Sequence, residues 1–101
     1  MGQVSATATI ITHNEAEHIA ACVKSVSFFA EVLVIDSGST DDTVARARAA
    51  GARVISHAWP GFGLQKQFAV DQASHDWVFS IDADERVSAA LRGAIEALFN
   101  A

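Results

Sequence analysis

The run "EVLVI", Glu31 to Ile35, sets four apolar residues side by side with no alternation. A short unbroken run of this kind marks a strand covered on both faces rather than one wetted on one side. Both faces are covered when helices cross over between parallel strands, so this one pentapeptide already points to an α/β sheet. The rest of the chain repeats the alternation that such a sheet needs. "SATATII" (Ser5–Ile11), "ARVIS" (Ala52–Ser56) and Trp77–Ile81 read as three further strands.

Helical patterns fill the intervals. After the first strand, Ile19, Cys22, Val23 and Val26 recur at helical spacing, and Asn14 with Glu17 forms a possible capping box ahead of them. Ser39 or Thr40 is expected to cap a second helix carrying Val44, Ala45, Ala47 and Ala49, with Gly51 as its stop. "HAWPGFG" (His57–Gly63) reads as a loop, residues 64–73 as a third helix, and a fourth begins near Ser88 with Leu91, Ile95 and Leu98. Trp59 and Trp77 are expected to pack in the core or against loops. The predicted architecture is a Rossmann-like, mainly parallel sheet of about four strands with helices on both faces.

Composition limits what the fold can serve. At 101 residues and half apolar content the chain is one small globular domain. A net charge of −5 offers no basic patch for a nucleic-acid backbone. The single cysteine, Cys22, falls on an apolar helix side and reads as a small buried hydrophobe. No apolar run approaches the ~20 residues of a membrane span, and no basic-then-apolar leader opens the chain, which favours the cytoplasm.

Ligands of open parallel sheets bind beyond the carboxyl ends of the strands. Three polar segments fall there: "THNE" (Thr12–Glu15), "DSGSTDD" (Asp36–Asp42) and "DADE" (Asp82–Glu85). Each has a plain reading. Asn14 and Glu15 suit a helix N-terminus, "DSGST" suits a turn, and a D-x-D can be a solvated turn. Their joint position at one edge gives the sharper reading. Asp36 ends a buried strand, where its carboxylate could accept hydrogen bonds from a base or ribose. Asp82 and Asp84 lie two apart, so in extended backbone both can face one ligand. Two hard oxygen donors suit Mg²⁺ or Mn²⁺ completed by phosphate oxygens. Lys66, in "GFGLQKQ", could reach a phosphate or simply be solvated. His13 is the one histidine at this edge, and a packing role is expected for it.

Together "ITHNE", "DSGSTD" and "DAD" resemble, in order and interval, the motifs P-T-Y-N-E, D-D-G-S-T-D and D-A-D of family 2 glycosyltransferases of the GT-A fold. Ile11 and His13 replace the Pro and Tyr, and Ser37 replaces the second Asp. The strings "GFGLQKQ" and "SHDWVFSIDADERVS" look most like the branch with bacterial lipopolysaccharide-core glucosyltransferases. The resemblance implies inverting, metal-dependent transfer of a sugar from a nucleotide-diphosphate donor, UDP by family habit, to a glycan or lipid-linked acceptor. It implies donor contacts at Thr12, Asn14, Glu15, Asp36, Ser37, Lys66 and Asp82, with Asp82 and Asp84 at the Mg²⁺ or Mn²⁺ ion. The catalytic base of the family lies in the second half of the fold, beyond residue 101, and a complete domain is roughly twice this length. The expectation is therefore a donor-binding half, inactive alone, with Leu91, Ile95 or Leu98 exposed and prone to self-association and with peripheral membrane contact through a lipid-linked acceptor. Two rivals remain at this stage. One is a nucleotide-binding module without chemistry. The other is a phosphoacceptor signalling domain, which would want an acidic pair after the first strand and an Asp ending the third.

Overall fold

The computed structural model describes residues 3–100. Four strands, β1 (Val4–Thr12), β2 (Phe29–Asp36), β3 (Arg53–Ser56) and β4 (Val78–Asp82), alternate with four helices, α1 (Ile19–Ser25), α2 (Thr43–Ala49), α3 (Phe62–Gln72) and α4 (Ala89–Asn100). All strand pairs are parallel and the sheet order is β3-β2-β1-β4. The chain steps from β1 through β2 to β3, then crosses back to the far side of β1. That reversal sets the helices on two faces, because each crossover keeps one hand.

Alternation along the strands divides the core accordingly. Ala6, Ala8 and Ile10 of β1, Val32 and Val34 of β2 and Ile81 of β4 pack with α1, Ala47 of α2 and Ile95 of α4. On the other face Leu33 and Ile35 meet Ala69 and Phe68 of α3 in a smaller cluster. "EVLVI" therefore is buried on both sides, as its composition requires. Cys22 is buried, and desolvation, with the carboxylates of Glu85, Asp84 and Asp82 acting against Arg86, pushes its thiol up to about 11.

The starts of α1 and α2 depart from the sequence reading. α1 begins at Ile19, behind His18, which makes no side-chain cap. Asn14 is not a cap and Glu17 closes no capping box. The amides of Asn14, Glu15 and Ala16 instead donate to Ser39 Oγ (2.8 Å), Thr43 Oγ1 (2.9 Å) and Asp41 Oδ2 (3.4 Å). These bonds across two loops occupy the donors that a helix from Asn14 would have left to a cap. α2 likewise starts at Thr43, not beside Ser39 or Thr40, and it buries Thr43 and Ala47 rather than Ala45 and Ala49.

The end of α2 and the start of α4 fare better. At Gly51 (φ 108°) the chain turns left-handed, with the Ala52 amide on Ala47 O (3.1 Å) and the Gly51 amide on Arg48 O (3.0 Å). This paired closure is the Schellman motif, in which only glycine avoids a steric cost. Ser88 Oγ accepts the Leu91 amide (3.1 Å) and so caps α4. Of the three apolar residues expected on that helix, Ile95 is buried, while Leu91 and Leu98 are 43% and 75% exposed. Trp59 and Trp77 are not core residues: they are 52% and 68% exposed, each touching one other aromatic ring edge-on, Phe62 and Phe99.

Candidate functional site

The parallel sheet brings the carboxyl ends of its strands to one edge, and a cavity of about 590 Å³ lies there. Ile11, Thr12, His13 and Glu15 line it from β1 and the loop after it, Ser37 from the loop after β2, and Asp82, Ala83 and Asp84 from the end of β4. Trp59 and Phe62 complete the lining from the segment after β3. Of the residues singled out in the sequence, Thr12, Glu15, Ser37, Asp82 and Asp84 share this cavity. Asn14, Asp36 and Lys66 stand behind or beside it.

Asp36 is buried at the end of β2 and its carboxylate is turned on its own loop. Oδ2 accepts the amides of Gly38 (3.2 Å) and Ser39 (2.9 Å), and Oδ1 accepts the Ser39 hydroxyl (2.5 Å). That is turn chemistry of the Asx kind, and it fixes the loop that presents Ser37. Asn14 (φ 50°) accepts the Thr40 amide on Oδ1 (2.8 Å), so it ties the loop after β1 to the loop after β2. Asparagine tolerates this left-handed backbone better than most residues. His13 lies exposed on the cavity wall rather than packed away. Its Nδ1–H donates to Ser37 O (3.1 Å), which leaves Nε2 to accept from the Asn14 side-chain amide (3.4 Å).

Thr12 carries the least expected feature. Its carbonyl accepts both the Ser37 amide (3.1 Å) and the Ser37 hydroxyl (3.3 Å). Its own hydroxyl is buried and has no hydrogen-bond partner. A buried hydroxyl without a partner costs about 1–3 kcal/mol. Thr12 lines the cavity, with this oxygen buried behind the wall.

On the β4 side, Asp82 and Asp84 are exposed while Ala83 between them is buried, so the two carboxylates lean away from the core together. The turn is held from within: Glu85 Oε1 accepts the Asp82 amide (3.0 Å), and the Glu85 amide donates to Asp82 O (2.9 Å). Glu85 therefore shapes the turn rather than facing the cavity. Cys22 Sγ reaches Asp82 O from beneath (3.4 Å). Among the described residues no cluster of three or more His, Cys, Asp or Glu side chains could enclose a metal. The pair Asp82 and Asp84 nonetheless fits a hard divalent cation of the Mg²⁺ type, which keeps several waters and takes one or two carboxylates plus substrate phosphates.

Lys66 sits in the second turn of α3, with its ammonium 4.7 Å from the centroid of the Phe62 ring. Gln65, which the sequence did not single out, is wholly buried beside it. Its Oε1 accepts from His57 Nδ1 (2.7 Å) and its Nε2 donates to His57 O (3.1 Å), while the His57 ring stacks on Phe68 at 3.7 Å. Nothing in "GFGLQKQ" distinguishes Gln65 from Gln67, which is exposed; only the packing of α3 on the sheet does.

The chain is 50% identical over 93 residues to an uncharacterized glycosyltransferase of Rickettsia felis, a span of 91% of this chain and 33% of that protein. It is 42% identical over 99 residues to the lipopolysaccharide core biosynthesis glycosyltransferase LpsC of Rhizobium meliloti, covering 93% and 37%. The chain thus spans about a third of the length of these relatives. Among solved structures, glucosyl-3-phosphoglycerate synthase of Mycobacterium tuberculosis superposes with a TM-score of 0.72 at 34% identity, over 80% of this chain and 35% of that one. That protein has been crystallised with Mn²⁺ and UDP, and with Mg²⁺ and UDP. Residues 7–100, from the middle of β1 to the last turn of α4, match the family described as glycosyl transferase family 2, and the chain belongs to it.

Proposed function

We propose that the protein carrying this chain is an inverting glycosyltransferase that takes a sugar from a nucleoside diphosphate, with UDP the favoured carrier. The acceptor is a glycan or a lipid-linked sugar, and residues 1–101 are the donor-binding half. The observation that carries this reading is a single cavity lined by the carboxylate pair Asp82 and Asp84 together with Thr12, Glu15 and Ser37. An acidic pair beside neutral hydrogen-bonding groups suits a ligand with a metal-bound diphosphate at one end and a nucleoside at the other.

Each residue has a part. Thr12, Glu15 and Ser37 offer hydrogen bonds to the nucleoside, and Asn14 and Asp36 hold the loops that place them. Asp82 and Asp84 would hold Mg²⁺ or Mn²⁺ together with diphosphate oxygens and water. When bound, the ion supplies positive charge that offsets the two carboxylates and the charge growing on the departing diphosphate. Lys66, next to Phe62 on the cavity wall, adds a further positive charge. The base that deprotonates the acceptor hydroxyl belongs to the remainder of the protein, and direct displacement at the sugar carbon inverts it. No described helix is long and apolar enough to cross a membrane. A lipid-linked acceptor would be met by peripheral contact at the cytoplasmic face.

Calorimetric titration of UDP into the full-length protein, in Mn²⁺ and then in EDTA, tests the donor and the metal together. Metal-dependent binding is expected. Binding undiminished by EDTA removes the metal from the scheme, and no binding at all removes the nucleotide. Binding with no transfer from any UDP-sugar favours the alternative, a non-catalytic nucleotide-binding module.

A further inference from the structure

We infer that Trp59, braced by Phe62, is the surface on which the nucleobase of the donor stacks; this rests on the nucleoside diphosphate reading of the cavity. Two large aromatic side chains stand half in water here, Trp59 at 52% and Phe62 at 55% exposed. Other large apolar side chains, among them Trp77 and Leu98, are exposed elsewhere, so position rather than exposure singles out these two rings. Both rings line that cavity. They meet edge to face, with centroids 6.0 Å apart and planes at 73°, an arrangement in which each restrains the other. Lys66 covers the Phe62 ring, so Phe62 is already engaged, and Trp59 is the ring available to a ligand.

The segment bearing Trp59 is anchored at both ends. The His57 amide donates to Asp36 O (2.9 Å), and the buried Gln65 side chain grips His57 through two hydrogen bonds. Pro60 and Gly61 (φ 114°) then turn the chain into α3. Trp59 is therefore presented on a short restrained turn, which lowers the entropy lost when a ligand packs on it.

Strand order identifies the occupant. With the sheet running β3-β2-β1-β4, the carboxyl-end loops follow one another as Trp59, Ser37, Thr12 to Glu15, and Asp82 to Asp84. A diphosphate at Asp82 and Asp84 sends the nucleoside away from β4, across β1 and β2, toward the β3 side. The base is the end of the donor farthest from the phosphates and its one flat aromatic part. Thr12, Glu15 and Ser37, which line the cavity, lie on that path.

The test measures binding of UDP and of inorganic pyrophosphate, each with Mn²⁺, to the full-length protein and its variants. Trp59→Ala is expected to weaken UDP by about fivefold to a hundredfold, the usual worth of one stacked base, and to leave pyrophosphate unchanged. Trp59→Phe should restore most of the UDP affinity, and Asp84→Asn should weaken both ligands. If Trp59→Ala binds UDP as the wild type does while Asp84→Asn still loses it, stacking is overturned and the donor reading stands. Equal loss of UDP and pyrophosphate in Trp59→Ala also overturns it, since stacking touches only the base. So does a loss confined to UDP-glucose with UDP unchanged, which would assign the ring to the donor sugar. A wild-type protein that binds no UDP overturns both readings at once.

Discussion

The side-chain oxygen of Asn14 accepts the amide hydrogen of Thr40 at 2.8 Å, and through this bond the loop after β1 is clasped to the loop after β2. The residue holds a left-handed backbone (φ 50°) while doing so. Asn14→Ala loses the hydrogen bond, worth about 1 kcal/mol, and adds about 1 kcal/mol or more of backbone strain. Urea unfolding should register a loss of about 2 kcal/mol. Asn14→Gly, which relieves the backbone but not the bond, should fall between Ala and wild type.

A second cluster lies at the opposite edge of the sheet. Glu31 accepts the Thr7 hydroxyl (2.8 Å), the Ser74 amide (2.9 Å), the Ser74 hydroxyl (3.0 Å) and an Arg53 guanidinium N–H (3.2 Å). Burial pushes this carboxyl up, but the bonds from Ser74 and Thr7 and the charge of Arg53 outweigh it and hold the group below its ordinary 4.5. The folded value is the lower one, so the stabilisation is complete above about 4.5 and fades as pH falls through the folded value. Stability measured against pH should drop more steeply below 4.5 in wild type than in Glu31→Gln, whose acid limb should be flatter. Thr7 Oγ1 gives its one hydrogen to Glu31, so His75 Nδ1 at 3.0 Å must donate to it.

The strands of this protein are legible in its sequence because their signal is local. "EVLVI" could be buried only on both faces, and Ser5–Ile11, Ala52–Ser56 and Trp77–Ile81 each overlap an observed strand. The end of α2 and the start of α4 carry local signals as well, Gly51 and Ser88. The starts of α1 and α2 do not. There the amides that a cap would serve are taken by Ser39, Thr43 and Asp41, residues about 25 positions away. The gathering of "THNE", "DSGST" and "DADE" at one edge follows from parallel topology alone. Which atoms face the cavity does not: Asp36 turns inward to its loop, while Trp59 turns outward.

Gln65 is one of the residues no local pattern marks, and it should be sensitive to change. Gln65→Leu keeps the volume but leaves His57 Nδ1 and the His57 carbonyl without their partner, at about 1–3 kcal/mol. Chemical denaturation should show that loss. Because His57 anchors the turn that carries Trp59, the same variant should bind UDP more weakly under conditions in which it remains folded. Gln67→Leu, on the exposed side of the same helix, should change stability by less than about 0.5 kcal/mol.

The claim on which the functional reading depends is that Asp82 and Asp84 hold the ion of a metal-bound nucleotide. Anomalous scattering from a crystal of the full-length protein grown with UDP and Mn²⁺ locates that ion directly. A peak within about 2.1 Å of a carboxylate oxygen of Asp84 or Asp82, bridged to the diphosphate, is the expected result. UDP bound in the cavity with the ion elsewhere, or with no ion near either carboxylate, would contradict it.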